Sequence, residues 1–192
     1  MGLAALALVL IAVMVVAGAA ALFAFVIGAL AGSIARYRRA TEEVLPLFAR
    51  THGLRLHPHG APDRLPKVEG RFASADLEVE LYRERVVSPD PESGLPRLHF
   101  HICTRVTARG ARDPRFVADV GSDAGPSGWS LRSGGPLPDH LGAEVAALAA
   151  RRSAVLHVEG GRARVEWPGA EDDLEALEAA VVLAVGLVSE HR

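Results

Sequence analysis

The chain has 192 residues, of which 49% are hydrophobic and 23% are charged, and its net charge is −2. This near-neutral balance argues against a non-specific nucleic-acid binder, because phosphate recognition requires a basic surplus. The single cysteine excludes a disulfide-built fold. The average also hides a division, since the first 35 residues contain no Asp, Glu, Lys, Arg or His. We therefore expect an apolar segment joined to one soluble domain of ordinary size.

The apolar segment, residues 1–35, predicts a transmembrane anchor. About 20 apolar residues span the hydrocarbon core of a bilayer, and this run is longer than that. A cleavable signal peptide is the alternative, and Ala17-Gly18-Ala19 would provide the small residues of a cleavage site. The apolar run continues to Ile34, however, well beyond the roughly 7–15 residues of a signal peptide. A retained anchor is the preferred interpretation.

The residues that follow the apolar run predict the orientation of the chain. Arg36, Arg38 and Arg39 lie directly after it, and Tyr37 is an aromatic residue of the type found at membrane interfaces. Positively charged flanks remain in the cytoplasm. We expect a single-pass protein of the inner cell membrane, with the N-terminus outside and residues 36–192 in the cytoplasm. Cleavage of the first helix would instead give a periplasmic domain.

Small residues recur every fourth position in the apolar segment. Ala20, Ala24, Gly28 and Gly32 share one face of a helix, and the last two form a Gly-x-x-x-Gly pattern. This pattern lets two helices approach closely, so it predicts a homodimer within the bilayer. An Ala-rich and Gly-rich span produces the same spacing by chance, and chance is the preferred interpretation.

Residues 36–66 predict a juxtamembrane helix and loop. Thr41 resembles a helix-capping residue followed by two acidic residues, and Gly53 follows the expected helix end. Pro46 lies too deep for a first turn and is expected to kink the helix or delay its start.

Residues 67–192 predict a soluble domain of the α+β class. Two-residue alternation and turn signals indicate strands at 67–72, 77–87, 98–107, 129–132, 154–158 and 162–167, with an irregular stretch at 109–127. Helices are expected after Asp139 and after Asp172 or Asp173. Because strands occur in runs, we expect an antiparallel sheet of about six strands covered by two or three helices.

Several short motifs accompany this order of elements. They are Gly53-Leu54 after the early helix, Gly110-x-x-Asp113-Pro114-x-Phe116 after a long strand, and Gly160-Gly161-Arg162 in a hairpin. With the N-terminal span and the final Leu/Val helix, the pattern resembles uncharacterised membrane-anchored α+β domains of bacterial proteins of unknown function. The resemblance covers most of the chain, implies no activity and supplies no catalytic residues.

The best candidate for chemistry is His99-x-His101-x-Cys103. Strand residues two apart share a face, and imidazole and thiolate are zinc ligands. His99 and Cys103 would lie about 13 Å apart on a strand, so only His99 and His101 could readily share an ion. His57 and His59 in the preceding loop could add a ligand. The competing interpretation is a partly wet sheet face on which Cys103 packs as a small apolar residue.

These features lead to three functional hypotheses. The first is a membrane-anchored, non-enzymatic binding or scaffolding domain that contacts the lipid bilayer and an unknown protein partner, with no cofactor. The second is a membrane-tethered, metal-dependent enzyme built on His99 and His101. The third is an exported periplasmic binding module whose first helix is removed. Metal analysis separates the first two hypotheses, and the intact N-terminal mass separates the third.

Overall fold

The computed structural model describes residues 2–58, 65–90, 94–111, 116–120, 129–134 and 154–189. The chain divides into two compact units, residues 1–36 and residues 37–192. The helical elements are α1 (Gly2–Arg39), a π-helical turn (Ala40–Val44), α2 (Leu45–Thr51) and α3 (Leu174–Val188). The strands are β1 (Arg55–His57), β2 (Lys67–Phe72), β3 (Ala75–Pro89), β4 (Pro96–Arg109), β5 (Phe116–Val120), β6 (Trp129–Gly134), β7 (Val155–Glu159) and β8 (Arg162–Pro168). The α+β class is thereby confirmed.

The strands form one antiparallel sheet in the order β1-β2-β3-β4-β8-β7-β5-β6. The six predicted strands are all present, and two more, β1 and β5, bring the described total to eight. The first addition is only three residues long, and the second lies in the stretch that we expected to be irregular. The helix predicted after Asp139 falls outside the described residues.

The core lies on one face of the sheet, beneath α2 and α3. Strand registration places apolar side chains in continuous rows across neighbouring strands. One such row consists of the buried residues Val68, Val79, Val106, Val165 and Leu156. Helix α3 packs across β3, β4 and β8, while α2 packs against β1 and β2. This two-layer arrangement buries one sheet face beneath the helices and leaves most charged residues of the strands on the other.

The entry into α2 differs from the expected capped start. Thr41 does not cap a helix, because its hydroxyl donates to the carbonyl oxygens of Tyr37 and Arg38 within a continuous helix. The π-helical turn contains a hydrogen bond from the N–H of Leu45 to the oxygen of Ala40. A proline lacks an N–H and clashes with the carbonyl four residues before it, so this wider turn accommodates Pro46 without ending the helix.

The segment after α2 belongs to the folded domain and not to a separate linker. Gly53 has a φ of 65°, and the N–H of Leu54 donates to the oxygen of Ala49 at 2.8 Å. This is a Schellman ending, which requires a residue that tolerates the left-handed conformation. Leu45 and Phe48 are fully enclosed in the core, so part of the predicted 36–66 segment is core structure.

The final helix and the preceding hairpin agree closely with the sequence. The carboxylate of Asp173 accepts a hydrogen bond from the N–H of Glu175 at 3.0 Å, which caps α3. Gly160 and Gly161 have φ values of 60° and 69° and connect β7 to β8. Two consecutive positive φ values define the primed turn that matches the twist of a tight hairpin.

Candidate functional site

The sheet face opposite the helices carries a ladder of charged side chains. Within the described residues, registration aligns Lys67, Glu80, Arg105 and Glu166 across β2, β3, β4 and β8. We call this surface the polar face. Charges of opposite sign on neighbouring strands attract each other, so the ladder supports the strand register.

Arg105 is the centre of the polar face. Its guanidinium donates to the Glu80 carboxylate at 2.8 Å and to the Glu166 carboxylate at 3.2 Å. The guanidinium carbon also lies 3.8 Å from the centre of the Tyr82 ring. A planar cation that stacks on an aromatic ring while it binds two carboxylates is held in one orientation. The centre of this face is therefore preorganised.

The pKa values at this centre follow from its contacts. The phenol of Tyr82 donates to the Glu166 carboxylate at 2.6 Å, and burial together with this bond raises the pKa of Tyr82 far above its ordinary value. Burial alone would raise the pKa of Glu166, but hydrogen bonds from Tyr82 and Arg105 outweigh burial and hold that pKa below its ordinary value. At neutral pH the tyrosine is a hydrogen-bond donor and the glutamate is an anion.

Cys103 lies beside this centre as a buried thiol. Its sulfur donates to the Glu84 carboxylate at 3.4 Å. Burial, and secondarily this hydrogen bond, raises the pKa of Cys103 to about 11. Since the thiolate is the nucleophilic form, this environment disfavours nucleophilic chemistry at neutral pH. The thiol borders a pocket of about 280 Å³ that Tyr82 and His157 also line.

The histidines of the proposed metal pair lie on β4, near its outer end. His99 and His101 are registered with Val86 and Glu84 of β3, and the side chain of His101 is exposed. His57 is the last residue of β1, not a loop residue, and its ring bonds the Glu69 carboxylate at 2.8 Å. His59 falls outside the described residues. Among the residues that the structure describes, no three His, Cys, Asp or Glu side chains are grouped to hold a metal. The two-histidine site therefore stays a prediction.

The residues predicted at the membrane interface have different environments. Tyr37 is half-buried and packs against the core of the folded domain, so its ring is held by protein. Arg38 and Arg39 are exposed and face Glu42 and Glu43 at 3.4 Å and 3.8 Å, one helical turn later. Pairs of this exposed kind contribute little to stability. Arg36 is also exposed.

The predicted dimer face is present on α1. Ala20, Ala24, Gly28 and Gly32 are all exposed and share one side of the continuous helix. A Cβ atom added to Gly28 or Gly32 would meet no atom within 4 Å. This face of α1 is therefore exposed, and the homodimer stays a prediction.

Sequence reasoning identified the wet strand face but missed the cluster formed by Tyr82, Arg105 and Glu166. These three residues come from β3, β4 and β8, and alternation within each strand predicts only the face on which each one lies. Their contacts depend on the register between strands, for which the sequence contains no local signal. The alternation of Glu78 and Glu80 with apolar neighbours was the available indication.

No family model, no curated protein sequence and no solved structure matches the chain. What can be said of its function therefore rests on its own residues. One described helix, Val13–Thr51, is long and apolar enough to cross a membrane.

Proposed function

We propose that this chain is a single-pass membrane protein whose α1 helix anchors a non-enzymatic α+β domain on the cytoplasmic side of the inner membrane. The polar face of the sheet is the surface on which the domain binds a protein partner. The lipid bilayer is the other partner, and no cofactor takes part.

The observation that carries the proposal is the exposure of α1. Its large apolar side chains between residues 13 and 34 are exposed, and none of its most apolar stretch is buried. Helix α3 is equally apolar in composition, yet most of its residues are buried against the sheet. A long apolar helix without protein cover is explained by a lipid environment, since each exposed apolar side chain costs free energy in water.

The orientation is supported by the basic flank. Arg36, Arg38 and Arg39 follow the apolar run within four residues and are exposed. Basic residues next to a span favour the cytoplasmic side. Acidic residues count little in this rule, so the ion pairs with Glu42 and Glu43 leave the argument unchanged.

A binding role is supported by the chemistry of the polar face. Its tyrosine and thiol are protonated at neutral pH, and its central arginine is already bound by two carboxylates. Among the described residues at this centre, the groups are therefore fixed charges and hydrogen-bond donors, and neither the phenol nor the thiol is activated as a nucleophile. Fixed complementary charges give specificity in protein recognition.

The attachment and orientation can be tested together. The full-length protein is expected to remain in membranes after alkaline washing and to retain its intact N-terminal mass. A C-terminal phosphatase reporter, active only outside the cytoplasm, is expected to be inactive. An N-terminally shortened mass, or an active reporter, would contradict the proposal and favour the exported module.

The binding surface can be tested with a charge swap. Asp76 and Arg109 are exposed register partners on the polar face, so Asp76→Arg with Arg109→Asp conserves net charge while reversing the local pattern. The matched control exchanges Arg50 and Glu175, two exposed residues of α2 and α3. A partner captured by the detergent-solubilised protein should be lost with the first swap and kept with the control. Equal capture by both variants would exclude the polar face.

A further inference from the structure

Strands β3 and β4 continue beyond the rest of the sheet as a two-stranded hairpin. Within the described residues, β2 pairs with β3 only as far as Glu80, and β8 pairs with β4 only from Cys103. The outer residues, 83–89 and 96–101, pair only with each other, and we call them the hairpin arm. Seven strand residues extend about 20 Å. The arm therefore extends well past the neighbouring strands that the structure describes.

One face of the hairpin arm is apolar and exposed. Val87, Leu98 and Phe100 lie on the side that continues the core face, and their exposed fractions are 59%, 44% and 63%. Leu95 at the tip is 67% exposed. The sequence pattern placed Leu98 and Phe100 with the core residues, but both are exposed beside the helices that the structure describes. A contiguous apolar patch without cover marks a site of interaction.

The same face is cationic. On β3 this face is formed by every second residue, namely Arg83, Arg85 and Val87. Arg85 is the register partner of Phe100. Both arginines are exposed, and among the described residues 83–89 and 96–101 no acidic residue shares this face. Aromatic and aliphatic side chains flanked by arginines fit a bilayer interface, where rings enter the acyl boundary and guanidiniums bind lipid phosphates.

We propose that the apolar face of the hairpin arm inserts into the surface of a membrane containing anionic lipid. This inference rests on the proposed function, because a domain tethered to a bilayer meets lipid at high effective concentration. A patch of three or four side chains, too weak to recruit a protein from solution, is sufficient under that condition.

A second copy of the chain is the competing occupant, and charge disfavours it. Symmetric pairing of two arms through this face would bring Arg83 and Arg85 of both copies together without acidic residues between them. Like charges across an interface are unfavourable, whereas lipid phosphates neutralise them. The anionic surface is therefore the better complement.

The test places an environment-sensitive fluorophore on the arm of the full-length protein. A Leu95→Cys label is made in a Cys103→Ala background and reconstituted into vesicles of phosphatidylcholine, with or without phosphatidylglycerol. The expected result is a blue-shifted emission, quenched by bromine-labelled lipid, that is at least severalfold stronger in the anionic vesicles. A label at Glu159→Cys, an exposed position at the far end of the sheet, should remain water-like.

Matched variants identify the residues responsible. Arg83→Gln with Arg85→Gln should remove the dependence on phosphatidylglycerol, and Phe100→Ser should weaken quenching in both lipids. The control, Arg55→Gln with Arg71→Gln, removes the same charge from exposed residues of β1 and β2 and should change neither signal. Thermal unfolding of each variant in detergent verifies that it is folded.

The outcomes separate this inference from the proposed function. A water-like arm label in protein that floats with the vesicles would overturn the inference and leave the anchor intact. A signal that follows protein density instead of lipid composition would assign the arm to a second copy and overturn the inference as well. Extraction of the chain by alkaline washing would refute the anchor, and the arm label would still report whether the arm binds lipid.

Discussion

Thr104 provides a sharp test of how the domain is held together. Its side chain is completely buried in β4, next to its register partner Trp167 in β8. The hydroxyl donates to the carbonyl oxygen of Gly169 at 2.7 Å and accepts from the N–H of Glu171 at 3.0 Å. These two bonds fix the segment that leads from the sheet into α3. Thr104→Val keeps the shape of the side chain and removes both bonds.

The expected cost follows from the burial of the two partners. The N–H of Glu171 is buried, so leaving it unpaired costs about 1–3 kcal/mol. Gly169 is an exposed residue, so water can replace part of the lost bond and the cost there is about 1 kcal/mol. Thr104→Val should therefore lower the free energy of unfolding by about 2–4 kcal/mol. Thr104→Ser keeps the hydroxyl and loses one methyl group, which costs about 1 kcal/mol.

Urea unfolding of the full-length chain in detergent measures this difference. Tryptophan fluorescence is a suitable signal, because Trp167 is buried beside the substituted residue. The order of stability should be wild type, then Thr104→Ser, then Thr104→Val. If the valine variant equals or exceeds the serine variant in stability, the hydroxyl does not hold the connection and the reasoning is wrong.

Three further predictions concern packing, ionisation and association. Gly110→Ala should destabilise the domain by about 1–3 kcal/mol in the same assay, because the added Cβ would clash with the backbone carbonyl oxygen of Val188 at the end of α3. Gly186→Ala is the control, since its added Cβ meets no atom within 4 Å and should stabilise the helix slightly. The rate of Cys103 alkylation should rise with a midpoint near pH 11, and an alkylation midpoint near pH 9 would contradict this. Because the pKa of Cys103 is raised in the folded protein, the stability that the thiol contributes is present below pH 9 and should be lost as the pH rises toward 11. On the homodimer hypothesis, Gly28→Leu with Gly32→Leu should reduce self-association in a membrane reporter assay, and unchanged association would exclude that helix face.

The sequence was sufficient to predict elements whose signals are local. The apolar run, the Asp173 cap of α3 and the Gly160-Gly161 turn each depend on a few neighbouring residues. Alternation correctly identified both long strands, β3 and β4. These features need no knowledge of the rest of the chain.

The features that escaped prediction depend on tertiary contacts. Strand β1 has three residues and exists because β2 pairs with it, and no three-residue pattern could have indicated this. Thr41 could cap a helix only if the residues before it were not helical. Because α1 is helical up to that point, the Thr41 hydroxyl instead donates to the carbonyl oxygen of Tyr37, one turn earlier. The cluster around Arg105 required the register of three strands, which only the packed sheet defines.

The apolar residues that alternate along β4 are buried in one part of the strand and exposed in the other. Between Thr104 and Ala108 the even-numbered residues face α3 and are buried, whereas Leu98 and Phe100 continue the same pattern and are exposed. The period of a strand predicts which residues share a face but not how far the covering layer extends. The described helices leave Leu98 and Phe100 exposed, and contact with lipid is the explanation that we propose for their apolar character.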